Sequence, residues 1–206
     1  MPYGYLGQNT PNQTVSNSGV FDISSAADLT KQGKFGGSLE LIEEQTFSAT
    51  TTIDFTSIQG AKYDVMVAQL IDVQTNGGND NIDMRFYESG VLETASVYQY
   101  ALQYGYPSTF GETKSTGANR MVIAPNQNSE NTDGYIYLYN LNNSSKYSFY
   151  TVHTTNLSGG NFFFYFGGGV LPQASEVDGI RFFSDTYNLE GTIKLFGVKQ
   201  IWVLWD

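Results

Sequence analysis

The sequence predicts an all-β protein, an antiparallel β-sandwich or jelly roll with an extended N-terminal arm and one short helix. From residue 38 onward, apolar and polar residues alternate with a period of two over many short segments. Turn residues such as Asn76-Gly77-Gly78-Asn79 separate these segments. The chain also contains 15 Tyr and 14 Phe, which favour pleated surfaces. No helical pattern intervenes, and this favours a sandwich over an α/β fold.

A chain of 206 residues suits one sandwich with extensions. Residues 1–21 are rich in Gly, Asn, Gln, Pro and Ser and are predicted to form the arm. Residues 24–31 are predicted to form the helix, because Ser25 and Asp28 have the spacing of a capping box. The predicted body spans residues 22–200. Residues 201–206 form an apolar tail or extend the last strand.

Eleven strands are predicted from the alternation. They span residues 38–44, 46–55, 62–73, 82–88, 93–104, 120–124, 135–141, 146–155, 161–166, 177–183 and 192–204. In the clearest one, Ile136 and Leu138 share one face, and the tyrosines at 135, 137 and 139 share the other. Segment 62–73 is apolar on both faces near its centre, which indicates a central strand. The triplet 167–169, all glycine, is predicted to turn the chain or to let a strand approach its neighbour.

Composition excludes several classes of function. The chain has 10 Lys+Arg against 20 Asp+Glu, a formal net charge of −10, and no basic cluster. Binding to nucleic acid or to an anionic membrane surface is therefore not expected. The absence of cysteine removes disulfides and thiol chemistry. No apolar run is long enough for a transmembrane helix, and the first residues do not resemble an export signal.

No catalytic residue, cofactor site or metal site is expected. His153 is the only histidine, no Gly-x-Ser-x-Gly motif accompanies it, and a structural or surface role is expected. Five glutamates are candidates for a glycosidase pair and are expected to be solvated surface acids: Glu40, Glu43, Glu44, Glu88 and Glu93. Segment 77–83 resembles one calcium-binding turn of a β-helix but occurs once, so a hairpin loop is expected.

The aromatic run Phe162-Phe163-Phe164-Tyr165-Phe166 allows two interpretations. A buried core strand is the expected one. The alternative is an exposed row of rings that stacks on sugars or seals a subunit interface.

Several stretches carry a resemblance to a known family. They are residues 4–13, 28–31, 36–43, 137–140, 144–149, 167–170 and 191–200, and the first is the most specific. With them the chain resembles small virion structural proteins of marine short-tailed phages, such as cyanophages and pelagiphages. The resemblance implies a virion component with a jelly-roll-like body and carries over no catalytic residue.

The expected function is that of a non-enzymatic phage structural protein, a head decoration protein displayed on the virion surface after synthesis in the host cytoplasm. The alternative is a tail-fibre or tail-associated protein that binds host glycans. Expected partners are capsid or tail proteins and further copies of the chain, as a homotrimer. A glycan binder is expected to expose a concave aromatic row, and a decoration protein to place its apolar excess at contacts with neighbours. Five residues are expected to contact partners: Tyr3, Tyr5, Leu6, Trp202 and Trp205.

Overall fold

The computed structural model describes residues 39–126, 130–158 and 160–199, which form thirteen strands and no helix. The predicted arm, helix and C-terminal tail lie outside these ranges. The strands are β1 (Leu39–Thr50), β2 (Thr52–Phe55), β3 (Val65–Asn76), β4 (Asp80–Glu88), β5 (Val91–Leu92), β6 (Tyr98–Tyr106), β7 (Thr109–Ala118), β8 (Met121–Asn126), β9 (Thr132–Tyr139), β10 (Ser148–Ser158), β11 (Asn161–Leu171), β12 (Val177–Phe183) and β13 (Asn188–Val198).

Two antiparallel sheets form a sandwich, as the alternation predicts. The larger sheet has the strand order β1-β13-β3-β9-β10-β11-β6-β7. The smaller has the order β2-β12-β4-β5, and β8 also pairs with β4. Strands β1-β13-β3-β9 and β2-β12-β4-β8 have the alternating connectivity of a jelly roll. The hairpins β6–β7 and β10–β11 are additions that widen only the larger sheet.

The core lies between the sheets and follows the period of two. Ile136 and Leu138 of β9 are fully buried, as predicted. Facing them from the smaller sheet are Phe55, Phe86 and Phe182, which are also fully buried. Successive side chains of a strand point to opposite faces of the sheet, so the residues that alternate with this buried layer point outward.

Buried hydroxyl groups connect the added strands to the smaller sheet. Tyr150 Oη of β10 donates a hydrogen bond to the carbonyl of Val122 at 3.2 Å, and Thr154 Oγ1 donates to the carbonyl of Ile123 at 3.1 Å. Burial raises the pKa of Tyr150, so its phenol remains a donor. The β10–β11 extension is therefore fixed to the body by specific contacts as well as by the sheet ladder.

Strand β7 was missed because its sequence lacks an apolar face. It is an edge strand with no fully buried residue, so nothing selects apolar residues at alternate positions. Several boundaries were also wrong. The first predicted break lies too early, since β1 continues to Thr50, and the segment predicted from 93 becomes a strand only at Tyr98.

The three glycines at 167–169 lie within β11 and are not a turn. A Cβ atom would lie 2.4 Å from the Ala101 carbonyl oxygen at Gly167 and 2.3 Å from the Gln99 carbonyl oxygen at Gly169. At Gly168 it would lie 2.4 Å from the carbonyl oxygen of Tyr150. The predicted close approach to neighbouring strands is confirmed, because β11 fits between β6 and β10 only without these side chains.

Candidate functional site: the outer face of the eight-stranded sheet

The outer face is the surface of the eight-stranded sheet that points away from the core. Its side chains are the alternates of the buried residues, so their positions follow from the same pattern. Of the eleven large apolar side chains exposed in the described ranges, nine lie here, and Val91 and Tyr147 lie elsewhere. The nine are Leu39, Leu41, Phe110, Tyr135, Tyr137, Phe149, Leu157, Phe162 and Phe166. This clustering makes the face the strongest candidate site.

A chain of aromatic rings crosses three strands of the outer face. The rings of Tyr139 and Tyr137 stack with centroids 6.3 Å apart, and Tyr135 meets Tyr137 edge-on at 5.7 Å. His153 of β10 continues the chain at 5.6 Å from Tyr135, and Phe166 of β11 follows at 6.2 Å from His153. These separations are those of interacting aromatic pairs. The rings therefore form a continuous series of contacts across β9, β10 and β11.

The imidazole of His153 is one of the rings in this chain. Its side chain is exposed, and Nδ1 lies 3.3 Å from Tyr135 Oη. The expectation of a surface position is therefore confirmed. Its nearest partners are aromatic side chains, and the structure gives it the role of a link between Tyr135 and Phe166.

A second aromatic group lies at the far end of β11. Phe164 lies 6.3 Å from Phe162 and 6.2 Å from Phe110 of β7, measured between ring centroids. Gly105 of β6 makes room for the Phe164 ring, since a Cβ there would lie 2.5 Å from it. Phe110 is 79% exposed and Phe162 52% exposed. The apolar surface thus continues to the edge of the sheet.

Aliphatic residues extend the outer face in the opposite direction. Leu41 of β1 is 50% exposed and lies opposite Phe196 of β13 in the ladder. Phe196 lies opposite Val67 of β3, and Val67 lies opposite Tyr137. Side chains opposite one another in a ladder are in contact distance. An apolar row therefore runs from the β1 edge into the aromatic chain.

The outer face is almost free of charge at its centre. Strands β3, β9, β10 and β11 contain no lysine or arginine and only two carboxylates, Asp72 and Asp133. Both lie at one end of the face, where the Asp72 amide donates to Asp133 Oδ1 at 3.0 Å. Charge pairs occur towards the two edges, with Lys194 Nζ 3.1 Å from Glu44 and Lys114 bonded to Glu112. The apolar centre is the part that water solvates least well.

A shallow hollow of about 550 Å3 interrupts the ring surface. Its lining includes Gly168, Ala101 and Lys114, which are neighbours across β11, β6 and β7. Phe166, 59% exposed, stands next to it, two residues before Gly168 on the same face. The hollow exists because small residues replace bulky ones in this row.

The aromatic run 162–166 combines the two interpretations of the sequence. Phe163 and Tyr165 point inward and are buried, as a core strand requires. Phe162 and Phe166 point outward and are exposed. The run is a core strand on one side and an exposed row on the other.

Of the five candidate glutamates, the fold brings together Glu88 and Glu93. Burial raises the pKa of Glu88, and the hydrogen bond with Glu93 acts in the same direction although a hydrogen bond with Ser175 opposes it. Glu40 instead pairs with Lys62 at 2.7 Å.

One buried carboxylate was not anticipated. Asp83 of β4 has a side-chain exposure of 1%, and Oδ2 lies 3.3 Å from Arg120 Nε. Burial raises the pKa of Asp83 to about 7, although Arg120 acts in the opposite direction. Oδ1 has no hydrogen-bond partner among the described residues. Its burial depends on pairing between β4, β8 and β12, which the local sequence does not show.

Residues 77–79 form the expected hairpin connection between β3 and β4, and residues 80–83 belong to β4. Asp80 accepts hydrogen bonds from Ser184 Oγ at 2.7 Å and from the Thr186 amide at 2.8 Å. The carboxylate is therefore used to hold the loop before β13. No group of three or more acidic, histidine or cysteine side chains within the described residues is arranged to hold a metal ion.

All five residues that were predicted to contact partners lie outside the described residues: Tyr3, Tyr5, Leu6, Trp202 and Trp205. No protein-family model matches the chain, and no curated protein shows significant similarity to it. Within the ranges that the structure covers, there is no helix long and apolar enough to cross a membrane.

Proposed function

We propose that this protein is a non-enzymatic structural protein on the exterior of a phage particle, a head decoration protein that uses the outer face as its contact surface. The resemblance to virion proteins of marine short-tailed phages supports the setting. The exposed apolar residues of the outer face support a role in contact with another molecule, and the proposal depends on this observation.

The size of the outer face supports a contact with another macromolecule. Eight strands at a spacing of about 4.8 Å and about eight residues at 3.4 Å each give a surface of about 1,000 Å2. Contiguous apolar patches above a few hundred Å2 on soluble proteins mark interaction sites. Burial of about 400 Å2 of apolar surface is worth about 10 kcal/mol before the entropic cost of association.

The shape of the outer face favours decoration over glycan binding. The exposed apolar residues extend from Leu41 on β1 to Phe110 on β7, so they spread over the sheet beyond the single row that passes through Tyr137. A polysaccharide chain contacts a narrow track, whereas a protein neighbour covers a broad surface. The breadth is therefore the argument for a protein neighbour.

A glycan-binding tail protein is the second candidate, and the hollow is the observation that favours it. Phe166 offers an exposed ring beside the hollow, and Gln103 lies opposite Phe166 in the ladder. A ring next to an amide suits a sugar, which presents an apolar face and hydroxyl groups. This candidate predicts that a Phe166→Ala variant loses binding to host polysaccharide while particle attachment persists.

Quantitative mass spectrometry of purified particles tests the proposal. Hundreds of copies per particle are expected for a head decoration protein. A few dozen copies would place the protein on the tail and favour the second candidate. Absence of the protein from purified particles would refute both.

A further inference from the structure

We infer that the partner of the outer face is another copy of this chain. This inference rests on the proposed use of the face as a contact surface and names the occupant of that surface. Three properties of the face lead to it: its charge, its area and the position of Phe166 next to the hollow.

Charge is the first property. Each chain carries a formal net charge of −10, so the repulsion between two copies is smallest when they meet through a surface with few charges. The four central strands offer such a surface, with two carboxylates at one end. A basic partner would gain little there, because few carboxylates are available to pair with it. The face is therefore electrostatically suited to its own copy.

Area is the second property. A stable interface buries about 800 Å2 on each partner, and the outer face provides about 1,000 Å2. Interface cores are enriched in aromatic residues and depleted in charged ones. The ring chain Tyr139–Tyr137–Tyr135–His153–Phe166 has this composition and lies at the centre of the sheet.

Shape is the third property. Phe166 protrudes beside the hollow that Gly168 and Ala101 leave open. A protrusion and a depression next to each other on one surface are complementary to the same surface rotated about a two-fold axis between them. Each copy would then place its Phe166 ring in the hollow of the other. Such a contact is isologous and closes as a dimer, whereas the homotrimer expected from the sequence would need two different contact surfaces on each copy.

Sedimentation velocity of the full chain over a wide concentration range tests this inference. The wild type is expected to form one discrete oligomer. Phe166→Ser removes the protrusion, and Ala101→Glu adds a carboxylate to the hollow. Each variant is expected to raise the dissociation constant about tenfold or more, as loss of a central contact does. Both sites are exposed on the sheet surface, so the melting temperature of the monomer should stay the same.

Val91→Glu is the matched control. Val91 is 69% exposed and lies on β5 of the smaller sheet, so the variant adds the same charge at an exposed apolar position away from the outer face. It should not change the oligomer. A wild type that is monomeric at every concentration would overturn the inference, as would equal dissociation of Val91→Glu and Ala101→Glu.

Particle occupancy separates this inference from the proposed function. If the wild type is monomeric but Phe166→Ser no longer attaches to particles, the face contacts a different partner and only the inference fails. If the protein self-associates but is absent from particles, the inference holds and the proposed function fails.

Discussion

The outward surfaces of the two sheets differ in how their polar and aromatic side chains are paired. On the smaller sheet, Arg181 donates two hydrogen bonds of 2.7 Å to the carboxylate of Asp54, and Tyr87 bridges the pair. Arg85 lies over the ring of Phe183 with 4.4 Å between the guanidinium carbon and the ring centroid. Polar groups therefore cover the rings and pair with one another on this side.

On the larger sheet, the exposed rings have mainly other rings as neighbours. Tyr137 contacts Tyr135 and Tyr139, and guanidinium groups are absent from the four central strands. Both sheets bury an apolar inner face, so the need for a core does not explain the difference between their outward surfaces. The smaller sheet pairs its outward polar groups, whereas the larger sheet leaves apolar side chains exposed, and this difference is the basis for proposing the larger sheet as the contact surface.

The largest expected effect concerns the buried carboxylate on the smaller sheet. Burial raises the folded-state pKa of Asp83 from its ordinary value of 3.8 to about 7, so its contribution to stability is fully present below pH 3.8 and lost as the pH rises through 7. Wild type should therefore lose about 4 kcal/mol of unfolding free energy relative to Asp83→Asn between pH 4 and pH 8. Urea denaturation of both proteins at several pH values measures this. Parallel pH curves for the two would contradict it.

The next effect concerns the glycines that shape the larger sheet. In Gly169→Ala the new Cβ would lie 2.3 Å from the Gln99 carbonyl oxygen and 2.6 Å from the Tyr150 ring. Separating β11 from β6 to relieve this contact should lower the unfolding free energy by about 3 kcal/mol. Gly117→Ala is the matched control, because its Cβ would lie 3.6 Å from the nearest atom. Equal melting temperatures for the two variants would show that the triplet has another role.

The smallest effect concerns the charge network of the smaller sheet. Burial raises the pKa of Asp54, but hydrogen bonds from Arg181 and Tyr87 outweigh it and the net pKa is lowered. Its contribution is therefore present at neutral pH and lost as the pH falls through the lowered pKa. Arg181→Ala should cost about 1 kcal/mol at pH 7 and less in acid, since the network is partly exposed. The oligomeric state should not change, and a change in it would show that both faces make contacts.

The sequence predicts the fold better than it predicts the site. Alternation in Tyr135–Tyr139 determined which residues face the core, because each choice is local. The outer face depends on β9, β10 and β11 lying side by side, with β1, β13 and β3 beyond them. Strand order arises from long-range pairing. The sequence therefore identified the rings of Phe162–Phe166 as a candidate surface but could not place them on the same face as Leu41 or Phe110. The burial of Asp83 was missed for the same reason.

Hydroxyl-radical footprinting of intact particles and of the isolated monomer tests the central claim most directly. The account predicts that Tyr135, Tyr137, Phe162 and Phe166 lose most of their labelling on the particle. Val91, exposed on the smaller sheet, should be labelled equally in both states. Unchanged labelling of the four outer-face residues on particles would contradict the claim that this face is the contact surface.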